Sequence, residues 1–379
     1  MIHFWQKNSE GRRRTQVTQR KSLLPMRSPA VDAMPEPALA LAPEPLFSPL
    51  LLAAYIACVA GAGALANCAL LAALLRRSRN GLFLIIIQLA VADFILLGTS
   101  IGPELWSNNA RTWIFGRLGC TAYRGLAVFT STASLYLTVT VALHTLSTAN
   151  LEKKATVARA KRNERDEDEE IRSSRHSLVA SSDTSTPPRT MNVDYRLVDT
   201  RVSVAPPSIF VWVLAVSLSI PEFALATTVR HEHDIIACTL VDTSHRINMH
   251  SMIALFNLFL PSLILSSAAA LIVCQLQTKR VSKLEGSDTI SALKLSLCLI
   301  FVYLIFCAPR SMFYIYGLYS LQDVNKIDVG YENDTILMIN MLLSAMYLAA
   351  ALLRPLLCIS LLPRLRKIFS FGFRNIDEV

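Results

Sequence analysis

Seven stretches of the chain are almost unbroken runs of apolar residues, with polar positions pushed to their ends. They run roughly Phe47–Leu75, Leu82–Leu105, Cys120–Leu146, Ser208–Val229, Met252–Gln275, Ile290–Leu318 and Thr335–Ser360. A helix on the edge of a soluble core shows an apolar stripe of period 3.6. These runs are apolar all the way round, and each is near the ~20 residues that carry a helix across a bilayer. The pattern predicts an all-α membrane protein, a seven-transmembrane helix bundle. The third run is the least apolar, with Thr130, Ser131, Thr132, Ser134, Thr138 and Thr140. Such a helix belongs among the others, where hydroxyls find neighbouring backbone or side chains.

Composition agrees with lipid as the solvent. Of 379 residues only 17% are charged, against about a quarter in a soluble domain. The net charge of +9 is no nucleic-acid footprint, because the basic residues stand at the ends of apolar runs, where cytoplasmic-loop charge belongs. The eight cysteines form no CxxC pair and no Cys/His metal spacing, so no metal or cofactor is expected. Cys58, Cys68, Cys274, Cys298, Cys307 and Cys358 lie inside apolar runs and read as inert packing residues. Cys120 and Cys238 are the exceptions.

Charge between the runs predicts orientation. Arg76, Arg77 and Arg79 follow the first run, Lys153 and Lys154 the third, Lys279, Arg280 and Lys283 the fifth, and Arg364, Arg366 and Lys367 the seventh. The other side carries the sparser Arg111, Arg230, Arg246 and Lys326. The positive-inside rule then puts the N-terminus outside and the C-terminus inside. An Asn-x-Thr sequon at Asn333 falls on the outer side, a candidate glycosylation site. Arg12, Arg13, Arg14, Arg20 and Lys21 run against this orientation. Without an apolar h-region they make no signal peptide. Either the first run acts as a reverse signal anchor, or the start is Met26 or Met34.

The expected organisation is a disordered extracellular tail over 1–46, three membrane helices over 47–146, a long cytoplasmic loop over 147–207, four helices over 208–360, and a short tail over 361–379. The loop begins basic, then has acidic Asp166–Glu170 and a Ser/Thr cluster. It has too few large apolar residues for a core, so it reads as disordered. It is either a solvated spacer or a phosphorylation-controlled docking segment. In the tail, Leu365, Ile368, Phe369 and Phe371 among Arg364, Arg366 and Lys367 suit an amphipathic helix on the membrane surface.

The order of several markers resembles rhodopsin-like (class A) G-protein-coupled receptors over about 47–372. Asn67 stands in Gly-Ala-Leu-Ala-Asn, Asp93 ends Leu-Ala-Val-Ala-Asp, and Trp113-Ile114-Phe115-Gly116 precedes Cys120. Trp212 and Pro221 mark the fourth run; Pro261, Pro309 and Pro355 mark the last three. The resemblance implies a disulfide between Cys120 and Cys238, on the outer side where disulfides persist. It implies a cell-surface receptor in the plasma membrane, passing an extracellular signal to a heterotrimeric G protein or arrestin.

Departures from the family pattern fall on its activation elements. The acidic-Arg-aromatic triplet that ends the third helix reads His144-Thr145-Leu146. The Cys-Trp-x-Pro element reads Phe306-Cys307-Ala308-Pro309, the fifth-helix tyrosine is Ala269, and Asn-Pro-x-x-Tyr reads Arg354-Pro355-Leu356-Leu357-Cys358. In the family, the positions of Asp93, Ser134 and Arg354 surround a sodium ion. An ionised group at bilayer depth is costly and usually pairs or marks function. Arg354 is therefore expected either to replace sodium by bridging to Asp93, or to snorkel to the inner interface and leave Asp93 neutral or hydrated.

The ligand is narrowed more than named. Ala127 stands where an amine receptor has its aspartate, and Leu348 where a visual pigment has its lysine. Arg124, Glu222, Asn257 and Tyr316 lie near outer helix ends and are pocket candidates, each equally readable as interface packing. A peptide or lipid fits better than an amine. The competing classes are a non-coupling scaffold or decoy and a transporter, though transporter-like repeats are not evident. Asp93, Ser134 and His144 lack the nucleophile-base-orienter arrangement of an enzyme.

Overall fold

The computed structural model describes residues 45–76, 80–177, 202–230, 235–241, 243–277, 288–320 and 334–374. Among these described residues seven helices are long and apolar enough to cross a membrane, the architecture of a multi-pass membrane protein. They are span one (Pro49–Leu75), span two (Gly81–Ala110), span three (Gly116–Ala155), span four (Ala205–Leu225), span five (Asn248–Gln277), span six (Asp288–Tyr316) and span seven (Asp334–Leu361). Proline near the N-termini of spans one and four, where a missing N–H costs nothing, fits their starts.

Span three is the hub. Two-thirds of its apolar window (67%) is buried, against 33% for spans one and four. Its hydroxyls are satisfied locally: Thr130, Thr138 and Thr140 each donate to the carbonyl four residues back. Tyr136 donates to Phe256 O at 2.7 Å, and Thr132 accepts from Asn257 Nδ2 at 2.8 Å, tying span three to span five.

The internal prolines widen the helices rather than break them. A single π turn, Leu255–Phe259, precedes Pro261, and another, Tyr303–Cys307, precedes Pro309. Proline has no N–H and its ring crowds the carbonyl four residues back, so an extra residue in the preceding turn relieves the clash. Each π turn rotates the face that the rest of its helix presents.

Helix ends depart from the hydrophobic runs in two places. The fourth run was expected to reach Val229, but span four stops at Leu225 and the chain turns into strand β1 (Ala226–Arg230). It pairs antiparallel with β2 (Ile236–Leu240), with Thr228 opposite Cys238. β-Branched Thr227, Thr228 and Val229 favour the pleated strand, which an apolar run cannot distinguish from helix. The third helix continues past residue 146 to Ser177, correcting the structureless reading of 147–177. Ala, Lys, Arg and Glu dominate 151–172. They are strong helix formers, so the segment needs no core of its own to be helical.

Burial corrects the cysteine reading too. Cys307 and Cys358 are buried and Cys298 is half-buried, but Cys58, Cys68 and Cys274 are exposed on the bundle's outside. An all-round apolar helix does not reveal which face meets lipid. After span seven, a short helix over Pro363–Arg374 carries buried Leu365 and half-buried Ile368 on one side, with Arg364 paired to Asp288 at 2.5 Å. The tail 1–44, Asn333, Lys326, Lys279, Arg280, Lys283 and the Ser/Thr cluster from 178 onward lie outside the described residues.

Candidate functional site

One end of the bundle is closed by a compact cap. Cys238 on β2 is disulfide-bonded to Cys120 at the start of span three. Trp113 donates its backbone N–H to Ile236 O at 2.7 Å and its indole N–H to Gly116 O at 2.8 Å. Its ring packs with Cys120, Ala226 and Leu240 and lies 5.4 Å from the Tyr123 ring. The hairpin is thereby pinned over spans three and four. Thr121, next to Cys120, donates to Ala226 O at 3.2 Å.

Below this cap, three ion pairs join five of the spans. Arg124 stands one helical turn beyond Cys120. Its Nε donates to Glu222 of span four at 2.7 Å, and Nη2 lies 3.5 Å from His250 Nε2 of span five. The Tyr314 hydroxyl of span six meets the same imidazole, 2.8 Å from Nε2. The second pair joins Arg310 of span six to Glu104 of span two. Arg310 Nε also donates to Ser344 at 3.2 Å, and its guanidinium lies 4.5 Å from the centre of the Tyr347 ring. Stacking on a ring face adds cation–π attraction.

The third pair lies deepest. Arg354 Nη1 donates to Asp93 Oδ1 and to Ser134 Oγ, and Ser134 itself donates to Asp93 Oδ1 at 2.5 Å. Nη2 reaches Cys307 Sγ at 3.6 Å. Asp93 is fully buried and Arg354 is 6% exposed. The arginine therefore points into the bundle instead of snorkelling. Asp93 and Glu104 are eleven residues apart on span two, about three turns, so they share a face. Asn67, next to this layer, donates to Gly63 O at 2.8 Å and to Ala351 O at 3.2 Å, joining spans one and seven.

Most of these groups line one cavity of about 280 Å³, with Asp93, Ser134 and Asn67 outside its lining. Glu104, Arg124, Glu222, Arg310 and Arg354 supply its charge, with the His250 imidazole among them; Val128, Leu135, Ile253, Leu258 and Ile315 supply apolar wall. Of the pocket residues expected from sequence, Arg124, Ala127, Glu222 and Asn257 line it. Tyr316 does not, and is 69% exposed. Arg310, Ser311, Tyr314 and Ile315 form the inward face of span six, and Tyr316 lies a further 100° round the helix. Sequence reasoning missed Glu104 and Arg310, although a charge inside an apolar run is the signal that singled out Asp93 and Arg354. It missed His250 because the helix begins at Thr243, before the apolar run does.

The altered activation positions fall into two groups. Cys307, on the π turn, touches Arg354; Pro355 follows that arginine, and Cys358 is buried one turn on. Phe306 packs half-buried against the core, one turn before Pro309. At the opposite end from the disulfide, Thr145 and Ser296 share a 2.7 Å hydrogen bond between spans three and six. Leu146 is buried beside it, and His144 is half-buried. His144, Thr145, Thr148, Glu152, Asp288 and Arg364 are among the residues that line a second hollow of about 220 Å³ there. No protein-family model and no curated protein matches the chain.

Proposed function

We propose that the chain is a cell-surface receptor of the rhodopsin-like (class A) kind, with its N-terminus outside and its C-terminus inside the plasma membrane. The observation that carries the reading is the cavity under the disulfide-pinned hairpin. It is walled by the helices, mostly apolar, and has a few convergent charged groups, as ligand sites do. A ligand there touches spans two to seven together, so a change in its contacts would be felt across the bundle. The hollow at the other end, bounded by His144, Thr145 and Glu152, is the corresponding place for a heterotrimeric G protein or arrestin. Charge at the helix ends supports this orientation.

A second reading is a receptor-shaped scaffold or decoy that does not couple. The buried Asp93–Arg354 pair favours it, because it crosslinks spans two and seven where the family has an ion and an asparagine. Basal and stimulated activation across the Gα classes, normalised to surface display of an epitope-tagged full chain, separates the two. Activity in one class supports coupling. Full surface display with no activity in any class, even with cell extracts as stimulus, would leave the scaffold.

A further inference from the structure

We propose that the cavity receives a small zwitterion: an amino acid or dipeptide with a free amino group, a free carboxylate and an apolar side chain. This inference rests on reading the cavity as a ligand site and goes on to name the ligand's chemistry.

One wall asks for a hydrogen-bond donor. Glu222 is 1% exposed, yet its Oε1 has no hydrogen-bond partner. His250 Nδ1 is 3.9 Å away, beyond hydrogen-bond reach. Asn257 Oδ1, on the neighbouring span five, is also buried without a partner. A carboxylate oxygen and an amide oxygen only accept, and buried polar atoms are rarely left unpaired. A protonated amine donates to Glu222 Oε1, and the amide oxygen of Asn257, seven residues beyond His250 on span five and so about two turns deeper, offers a separate acceptor for a further N–H of the ligand.

The facing wall asks for an acceptor. Arg310 spends Nε on Ser344 and Nη2 on Glu104, which leaves part of its five-donor fork for another group. Its side chain is 30% exposed, although Glu104 beside it is only 5% exposed. The Tyr347 hydroxyl, under the same guanidinium, is buried and unpartnered. A carboxylate satisfies both, through charge-assisted bonds.

Charge balance and size narrow the class. Asp93, Glu104 and Glu222 offset Arg124, Arg310 and Arg354, so the site is neutral when His250 is neutral. A net ion would leave buried charge uncompensated, whereas a zwitterion does not. Arg310 and Tyr314 are one turn apart on span six, about 6 Å, and the Tyr314 hydroxyl bonds His250 beside Glu222. The two walls therefore sit about one helical turn apart in depth along span six. A cavity of about 280 Å³ is of a size to hold an amino acid or dipeptide.

The test uses the purified full-length protein in lipid nanodiscs. Tritiated L-phenylalanine and L-alanyl-L-phenylalanine are the probes, each competed by its N-acetyl and its carboxamide form. The expected result is saturable binding of one probe, with either cap weakening competition roughly tenfold or more, the worth of a charged hydrogen bond. Which probe binds tells amino acid from dipeptide. Glu222→Gln should shrink the penalty of the N-acetyl cap and leave the carboxamide penalty intact. No saturable binding of either probe, or equal competition by capped forms, overturns the proposal. Coupling to a Gα class without zwitterion binding would sink this inference alone; zwitterion binding without coupling would sink the signalling reading alone.

Discussion

Arg310 of span six and Glu104 of span two form an ion pair while the same guanidinium lies over the Tyr347 ring of span seven. Three helices thus meet at one arginine. Glu104 is buried, so removing its partner leaves a carboxylate with little solvent contact. Arg310→Met should therefore lower the thermal midpoint of the purified protein more than Arg310→Met with Glu104→Gln. Replacing a whole buried pair by neutral groups is often tolerated, while stranding one charge is not. A thermal-unfolding series on the two variants checks this; a double variant no more stable than the single would contradict it.

Close packing of spans three and four makes a second prediction. A side chain at Gly125 would run into the ring of Phe223. The ring is rigid, so either it must swing outward or the helices must part. Gly125→Ala should destabilise by about 1–3 kcal/mol, the usual range for overpacking. Adding Phe223→Leu should recover part of it. At Gly63 the obstructing atom is the end of the flexible Leu97 side chain, so Gly63→Ala should cost less.

The disulfide gives a third. Cys120 and Cys238 are separated by 118 residues, so the bond closes a long loop. Loss of such a bond costs about 2–5 kcal/mol. Cys120→Ser should lower surface display, and Cys120→Ser with Cys238→Ser should do no worse, since no odd thiol remains. Flow cytometry of tagged cells reads both.

Much of this fold is legible in the sequence for a simple physical reason. A bilayer demands long apolar helices whose backbone bonds are internal, so seven spans can be read by eye. The pairing of Asp93 and Arg354 is legible because lipid makes a stray charge conspicuous. Other features are not. The hairpin at Ala226–Leu240 hides because Thr227–Val229 prolongs an apolar run without ending it. The helix through 147–177 hides because its stability comes from local propensity, not from burial. Tyr316 is misplaced because nearness to a helix end gives a residue's height but not its face. Arg310 and Glu104 were readable by the same charge rule, but no family marker drew attention to them.

A buried charge pair between spans two and seven, Asp93 and Arg354, holds the core of this bundle. Asp93→Arg and Arg354→Asp each strand two like charges, at a cost of about 3–5 kcal/mol or more, and should abolish surface display. The measurement is display of the exchanged variant, Asp93→Arg with Arg354→Asp. Recovery of display well above either single variant is the predicted result. An exchanged variant as poorly displayed as the singles, alongside a normally displayed Arg354→Leu, would contradict it.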